Sequence, residues 1–123
     1  MKLRYFLLFS LVFNFAHAQD IHKKAILVDT HNDFLTKVMD YGYNLDADLL
    51  GKTHSDLSRF KKGGLDAQFF SVFSYGTQEN PFAFANRQID SLDAVIARNP
   101  DKIVKVANVK ELKKVVKQNK IAA

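Results

Sequence analysis

Ala25-Ile26-Leu27-Val28-Asp29-Thr30-His31-Asn32-Asp33 is the stretch from which the fold of this chain can be read. Its apolar half contains no breaker and predicts a buried β-strand over Ala25–Asp29. Its polar half then closes the strand with an imidazole and a carboxylate two positions apart. In extended backbone the side-chain period is two, so Asp29, His31 and Asp33 are expected on one side and Thr30 and Asn32 on the other. That is a chelating geometry, because a histidine nitrogen beside an aspartate oxygen suits zinc or a similar divalent ion. The C-terminal end of a parallel strand is also where α/β enzymes place their chemistry. The competing reading makes Asp33 the N-cap of a helix opening at Phe34 and His31 a strand-end residue; spacing alone slightly favours it.

Working outward, Phe34–Tyr41 reads as a short helix ended by Gly42, and 43–52 as irregular loop. After the Gly63-Gly64 bend, Ala67–Phe73 is short, aromatic and apolar, which predicts a second strand. The clearest helix follows. Asn80 is a good N-cap, Pro81 occupies the first helical position, Phe82, Ala85, Ile89, Leu92 and Ile96 recur every three or four residues, and Asn99-Pro100 stops the run. A short strand is expected over Ile103–Val106, and Asn108 caps a further amphipathic helix. Lys120-Ile121-Ala122-Ala123 looks like the entry to another strand. Alternation of this kind predicts βα units around a parallel sheet. Such a sheet needs both faces covered, and only about two good core strands are legible. Residues 19–123 therefore read as the opening third of a larger α/β domain.

The chain has 123 residues and no cysteine, so no disulfide can brace it and any metal must be held by His, Asp or Glu. Residues 1–18 fit a signal peptide: Lys2 and Arg4 precede an apolar run from Tyr5 to Phe15, and Ala16-His17-Ala18 matches a small-x-small cleavage site before Gln19. The run is shorter than the roughly twenty residues of a membrane span. Export to a periplasm or the outside is expected.

The formal charge is +5, and the basic residues crowd the C-terminal stretch. A nucleic-acid or anionic-membrane surface is the sharper reading of that cluster. Helical spacing favours the plainer one: Val109, Leu112, Val115 and Val116 form an apolar face and leave Lys110, Lys113, Lys114 and Lys117 on a solvated face. No nucleic-acid partner is expected. His22 lies in a polar leader and reads as solvated. His54, within Thr53-His54-Ser55-Asp56, cannot form a Ser/His/Asp triad with its immediate neighbours, because adjacent residues on one short segment do not point at one another. Gly63-Gly64 lacks the spacing and the lysine of a phosphate loop.

Leu27-Val28-Asp29-Thr30-His31-Asn32-Asp33 resembles the opening strand of the renal or membrane dipeptidases, peptidase family M19, whose pattern there is Val-Asp-x-His-x-Asp. The segment Thr53–Val72 resembles a second stretch of that family: Thr-Asp-Leu, a basic run, Gly-Gly, then Gln-Phe-(Trp/Phe)-Ser-Val. The resemblance implies an α/β fold, the N-terminal portion of a metal-dependent-hydrolase-type TIM (β/α)8 barrel, incomplete in this chain. It further implies two zinc ions, a dipeptide substrate and, as first-zinc ligands, His31 and Asp33. The bridging glutamate of that family, in a Gly-(Val/Ile)-Glu-Gly-Gly motif, has no match, since the only glutamates are Glu79 and Glu111. Phe73 stands where the mammalian enzymes carry a tyrosine near the substrate.

The expectation is thus an exported zinc dipeptidase as a full protein, with Asp29 supporting the site through a hydrogen bond. The 123-residue chain alone is expected to be inactive. No transmembrane segment is expected after signal cleavage, and homodimer assembly is left open. Two rivals stand beside this reading. One is another amidohydrolase-type metal hydrolase, against which His-x-Asp in place of His-x-His argues; the other is a non-catalytic exported barrel fragment or binding module.

Overall fold

The strands β1 (Val28–Asn32), β2 (Ala67–Phe70), β3 (Ile103–Val104) and β4 (Ile121–Ala122) form one sheet in the order β1-β2-β4-β3, every neighbouring pair parallel. These elements are seen in a computed structural model that describes residues 21–22 and 24–123. The signal-peptide reading of residues 1–18 lies outside the described residues. Parallel strands require crossovers, and helices supply them: α1 (Phe34–Tyr41) and α2 (Leu57–Lys62) link β1 to β2, α3 (Pro81–Arg98) links β2 to β3, and α4 (Val109–Lys117) links β3 to β4. The expected βα alternation is therefore present, and a strand lies at each of the four places where one was expected. No described helix is long and apolar enough to cross a membrane.

The helix boundaries follow local chemistry. Gly42 ends α1 at φ 67°, in the left-handed region, and sends its N–H to the Val38 carbonyl at 2.9 Å. Asn80 accepts the Ala83 N–H at 2.9 Å and caps α3 behind Pro81. Asn108 and Glu111 form a reciprocal capping box: Asn108 Oδ1 accepts from Glu111 N–H, and Glu111 Oε2 accepts from Ala107 N–H. Helix α2 was not expected. Asp56 starts it by accepting the Arg59 N–H at 2.8 Å.

Phe34, Leu45, Leu49, Leu57, Phe60, Val95, Ile103 and Ile121 form the main core. The loop over 43–52 is irregular, as expected, but Leu45 and Leu49 on it are buried. Arg98 and Asn99 at the end of α3 grip this loop through Asp46, at 2.9–3.1 Å. Ala67, Val115 and Ala122 form a second, smaller cluster. Strand alternation divides the two, since Ile103 and Ile121 belong to the first while Val104 and Ala122 pack with the second.

Four expectations need correction, the first being strand length: β2 ends at Phe70 and β3 at Val104, where Phe73 and Val106 were expected. β1 runs over Val28–Asn32 instead of 25–29 and is exposed, with Ile26, Leu27 and Val28 each about two-fifths or more accessible. It is an edge strand with only β2 beside it, so no described element covers its outer side. The buried face of α3 is Phe84, Gln88 and Val95, whereas Phe82 and Ile89 face outward, because the contact with α1 turns the helix toward the 84/88/95 stripe. On α4, Val115 is buried but Val109, in the first turn, is exposed. Lys110, Lys113, Lys114 and Lys117 lie on the solvated face, as expected.

Candidate metal centre

At the C-terminal end of β1 the strand pairing is irregular. Val28 stands opposite Ala67 and Asp29 opposite Gln68, but Asn32 stands opposite Phe70, so β1 carries one residue more than β2 across this interval. Such bulges re-aim side chains and favour the neighbourhood of active sites. Asp29 Oδ1 accepts the backbone N–H of His31 at 3.1 Å, a local bond to main chain and not to the His31 ring. Asp33 then leaves the extended region at φ −86°, ψ 20°. The strict alternation expected through Asp33 is not kept.

The pair nevertheless forms. His31 Nε2 lies 3.1 Å from Asp33 Oδ1, with the two side chains 68% and 58% accessible. Two ligands each about 2.0–2.1 Å from a tetrahedral ion stand about 3.3 Å apart, so nitrogen and oxygen are close to the bite that zinc requires. Their accessibility leaves room for further ligands and for substrate.

Asp33 makes no side-chain cap for α1, although it occupies the capping position. Asn32 Oδ1 accepts the Phe34 N–H, the first of the helix, at 2.9 Å; this closes a turn over Asp33 and holds that residue outside the extended backbone from which a cap reaches the second or third N–H. The Asp33 backbone carbonyl meanwhile serves Thr36, accepting from the N–H at 3.2 Å and the hydroxyl at 2.7 Å. The capping alternative read from the sequence is therefore not realised by the Asp33 side chain. The Ser71 hydroxyl, followed by the His31 ring, holds the Asp33 carboxyl below the usual carboxylate range, against a smaller desolvation effect.

A polar network fastens this end of β1 to its surroundings. The Asn32 side-chain amide donates to Gln68 Oε1 at 3.2 Å and to Ser55 Oγ at 3.3 Å. Gln68, 2% accessible, donates in turn to the carbonyls of Asp29 and Phe69, both at 3.2 Å. Sequence reasoning passed over Asn32 and Gln68. The available signal was a glutamine inside an otherwise apolar strand, since a buried amide must find partners.

Beside the pair, Asn32, Asp33, Lys37, Lys52 and His54 line a cleft of about 390 Å³. A larger cleft, about 680 Å³, includes Asp101 and Asn119, just before β3 and β4, and so opens at the end of the sheet opposite the His31–Asp33 pair. The exclusion of a triad at residues 53–56 holds. The Asp56 carboxylate is taken by Arg59 and Leu49, and Ser55 accepts from Asn32, so neither serves His54. His22 is exposed, its Nε2 3.1 Å from the Gly63 carbonyl.

Among the described residues no group of three or more His, Asp or Glu converges on one point. Residues 15–123 match the membrane dipeptidase family, peptidase family M19. The chain belongs to that family. Among curated proteins none matches it. M19 membership makes the chain a peptidase-type hydrolase at family level, and implies a TIM-barrel-like metal hydrolase fold. The small parallel α/β sheet accords with part of such a fold, and its first strand carries the His-x-Asp pair at the expected end.

Proposed function

We propose that His31 and Asp33 hold the first zinc ion of an exported M19 dipeptidase whose barrel opens with this sheet. The observation that carries the reading is the 3.1 Å approach of His31 Nε2 to an Asp33 carboxylate that is excused from capping α1. A zinc ion bound there supplies Lewis acidity toward a peptide carbonyl and lowers the pKa of a bound water. The chain's own residues do the positioning. Asp29 ties down the His31 backbone, Asn32 fixes the turn into α1, and the His31 ring faces the Asp33 carboxylate.

Two protein donors are fewer than the three or four that a catalytic zinc takes, and Glu111 is committed to its capping box. With a donor set that short, the 123-residue chain alone is expected to turn over no dipeptide. Export rests on the leader pattern of residues 1–18. The test is a zinc competition titration of the 123-residue chain together with a dipeptide hydrolysis assay. The reading requires zinc uptake that His31→Ala and Asp33→Ala each abolish, with no hydrolysis. Unchanged uptake by either variant overturns the ligand assignment and favours a non-catalytic module; hydrolysis by the chain alone overturns the claim of inactivity.

A further inference from the structure

Asn32 sits between the two proposed ligands, and all of its side-chain polar atoms are engaged. Its Oδ1 takes the Phe34 N–H, while its Nδ2 donates to Gln68 Oε1 and Ser55 Oγ, on β2 and on the loop before α2. The first N–H groups of a helix lack intrahelical partners, and an aspartate at the capping position ordinarily supplies one. Asp33 occupies that position and does not do so. From this juxtaposition we infer that Asn32 is a positioning residue for the metal pair: by closing a turn over Asp33 it holds that residue at φ −86°, ψ 20°, outside the backbone range of a helix cap, and so keeps the carboxylate turned toward His31.

The clamp on the other end of the Asn32 amide gives the device its rigidity. Gln68 is buried and bonded to the Asp29 and Phe69 carbonyls, so the Asn32 amide is aimed by both strands at once. When the Oδ1 acceptor is removed, the Asp33 backbone is released toward the extended region, from which its carboxylate reaches the Leu35 and Thr36 N–H groups. Its carboxylate then turns from the imidazole into the helix start. Helix α1 survives the change, and the metal pair does not.

The inference rests on the ligand assignment above, and its test separates the two. In the metal-free 123-residue chain, three-bond couplings report the Asp33 χ1 rotamer. They are expected to differ between wild type and Asn32→Ala and to return to wild type in Asn32→Ser, whose hydroxyl can still accept the Phe34 N–H. Zinc affinity is expected to fall about tenfold to a hundredfold in Asn32→Ala, the usual cost of losing a group that orients a ligand. Asn32→Ser is expected to recover most of it, with the helical circular dichroism of the three proteins alike. An unchanged Asp33 rotamer with wild-type zinc affinity in Asn32→Ala overturns the inference. If Asn32→Ala fails to fold, Asn32→Ser alone decides, and a tenfold loss there also overturns it. Wild-type zinc uptake that is insensitive to His31→Ala condemns the ligand assignment instead, while the couplings still decide the role of Asn32.

Discussion

Asp33 and Asp56 occupy the same kind of place, each just before the first residue of a helix, and they are used in opposite ways. Asp56 is 1% accessible and saturated: its Oδ1 accepts the Arg59 N–H at 2.8 Å, and its Oδ2 accepts the Arg59 Nε at 2.7 Å and the Leu49 N–H at 3.3 Å. Asp33 is largely exposed, caps nothing, and faces a histidine. Carboxylates that build a fold are consumed by donors of the fold, whereas a carboxylate meant for a ligand must be spared. The sparing is itself structural, since the turn that Asn32 closes onto the Phe34 N–H holds Asp33 outside the capping backbone range.

The sharpest way to break this contrast is to delete each carboxylate and measure stability by urea denaturation. Asp56→Ala strands the half-buried Arg59 guanidinium and two backbone donors, and is expected to cost about 3–5 kcal/mol. Acid should find the same weak point. Burial pushes the Asp56 carboxyl upward, but the Arg59 N–H, the Arg59 guanidinium and the Leu49 N–H outweigh it and leave it below its ordinary value. A carboxyl lowered by folding contributes stability that is complete above the unfolded pKa, about 3.9, and lost as pH falls through the folded value. Stability measured from pH 6 downward should therefore decline below about pH 4, and the decline should be shallower in Asp56→Asn. An equally steep acid limb in that variant would remove Asp56 from the structural class.

Caps on the other helices give an intermediate case. Asn108→Ala removes one arm of the capping box on α4 and is expected to cost about 1 kcal/mol. Asp33→Ala should be the smallest of the series, within about 0.5 kcal/mol of wild type, because an exposed side chain that caps nothing contributes little. A loss from Asp33→Ala as large as that from Asn108→Ala would mean that Asp33 supports the fold after all.

The sequence made some elements plain and hid others, for physical reasons. Helices α1, α3 and α4 announce themselves through Gly42, Asn80-Pro81 and Asn108, because caps and breakers act locally. Helix α2 has only six residues, too short for periodicity to register, although Asp56 before Leu57 was an available N-cap signal. The outward turn of Phe82 and Ile89 depends on which neighbours α3 meets, which periodicity does not specify. At the candidate site, spacing singled out His31 and Asp33 but slightly favoured a cap; the ligand reading came from the family resemblance. The resolution of the cap question was not legible, because it hangs on the Asn32 side chain choosing Phe34, Gln68 and Ser55 across three separate segments.

The most direct test of the ligand assignment is anomalous diffraction at the zinc edge from crystals of the 123-residue chain grown with zinc. The account predicts a peak within about 2.0–2.2 Å of both His31 Nε2 and an Asp33 carboxylate oxygen. Zinc density at His22 or His54, with none between His31 and Asp33, would contradict it.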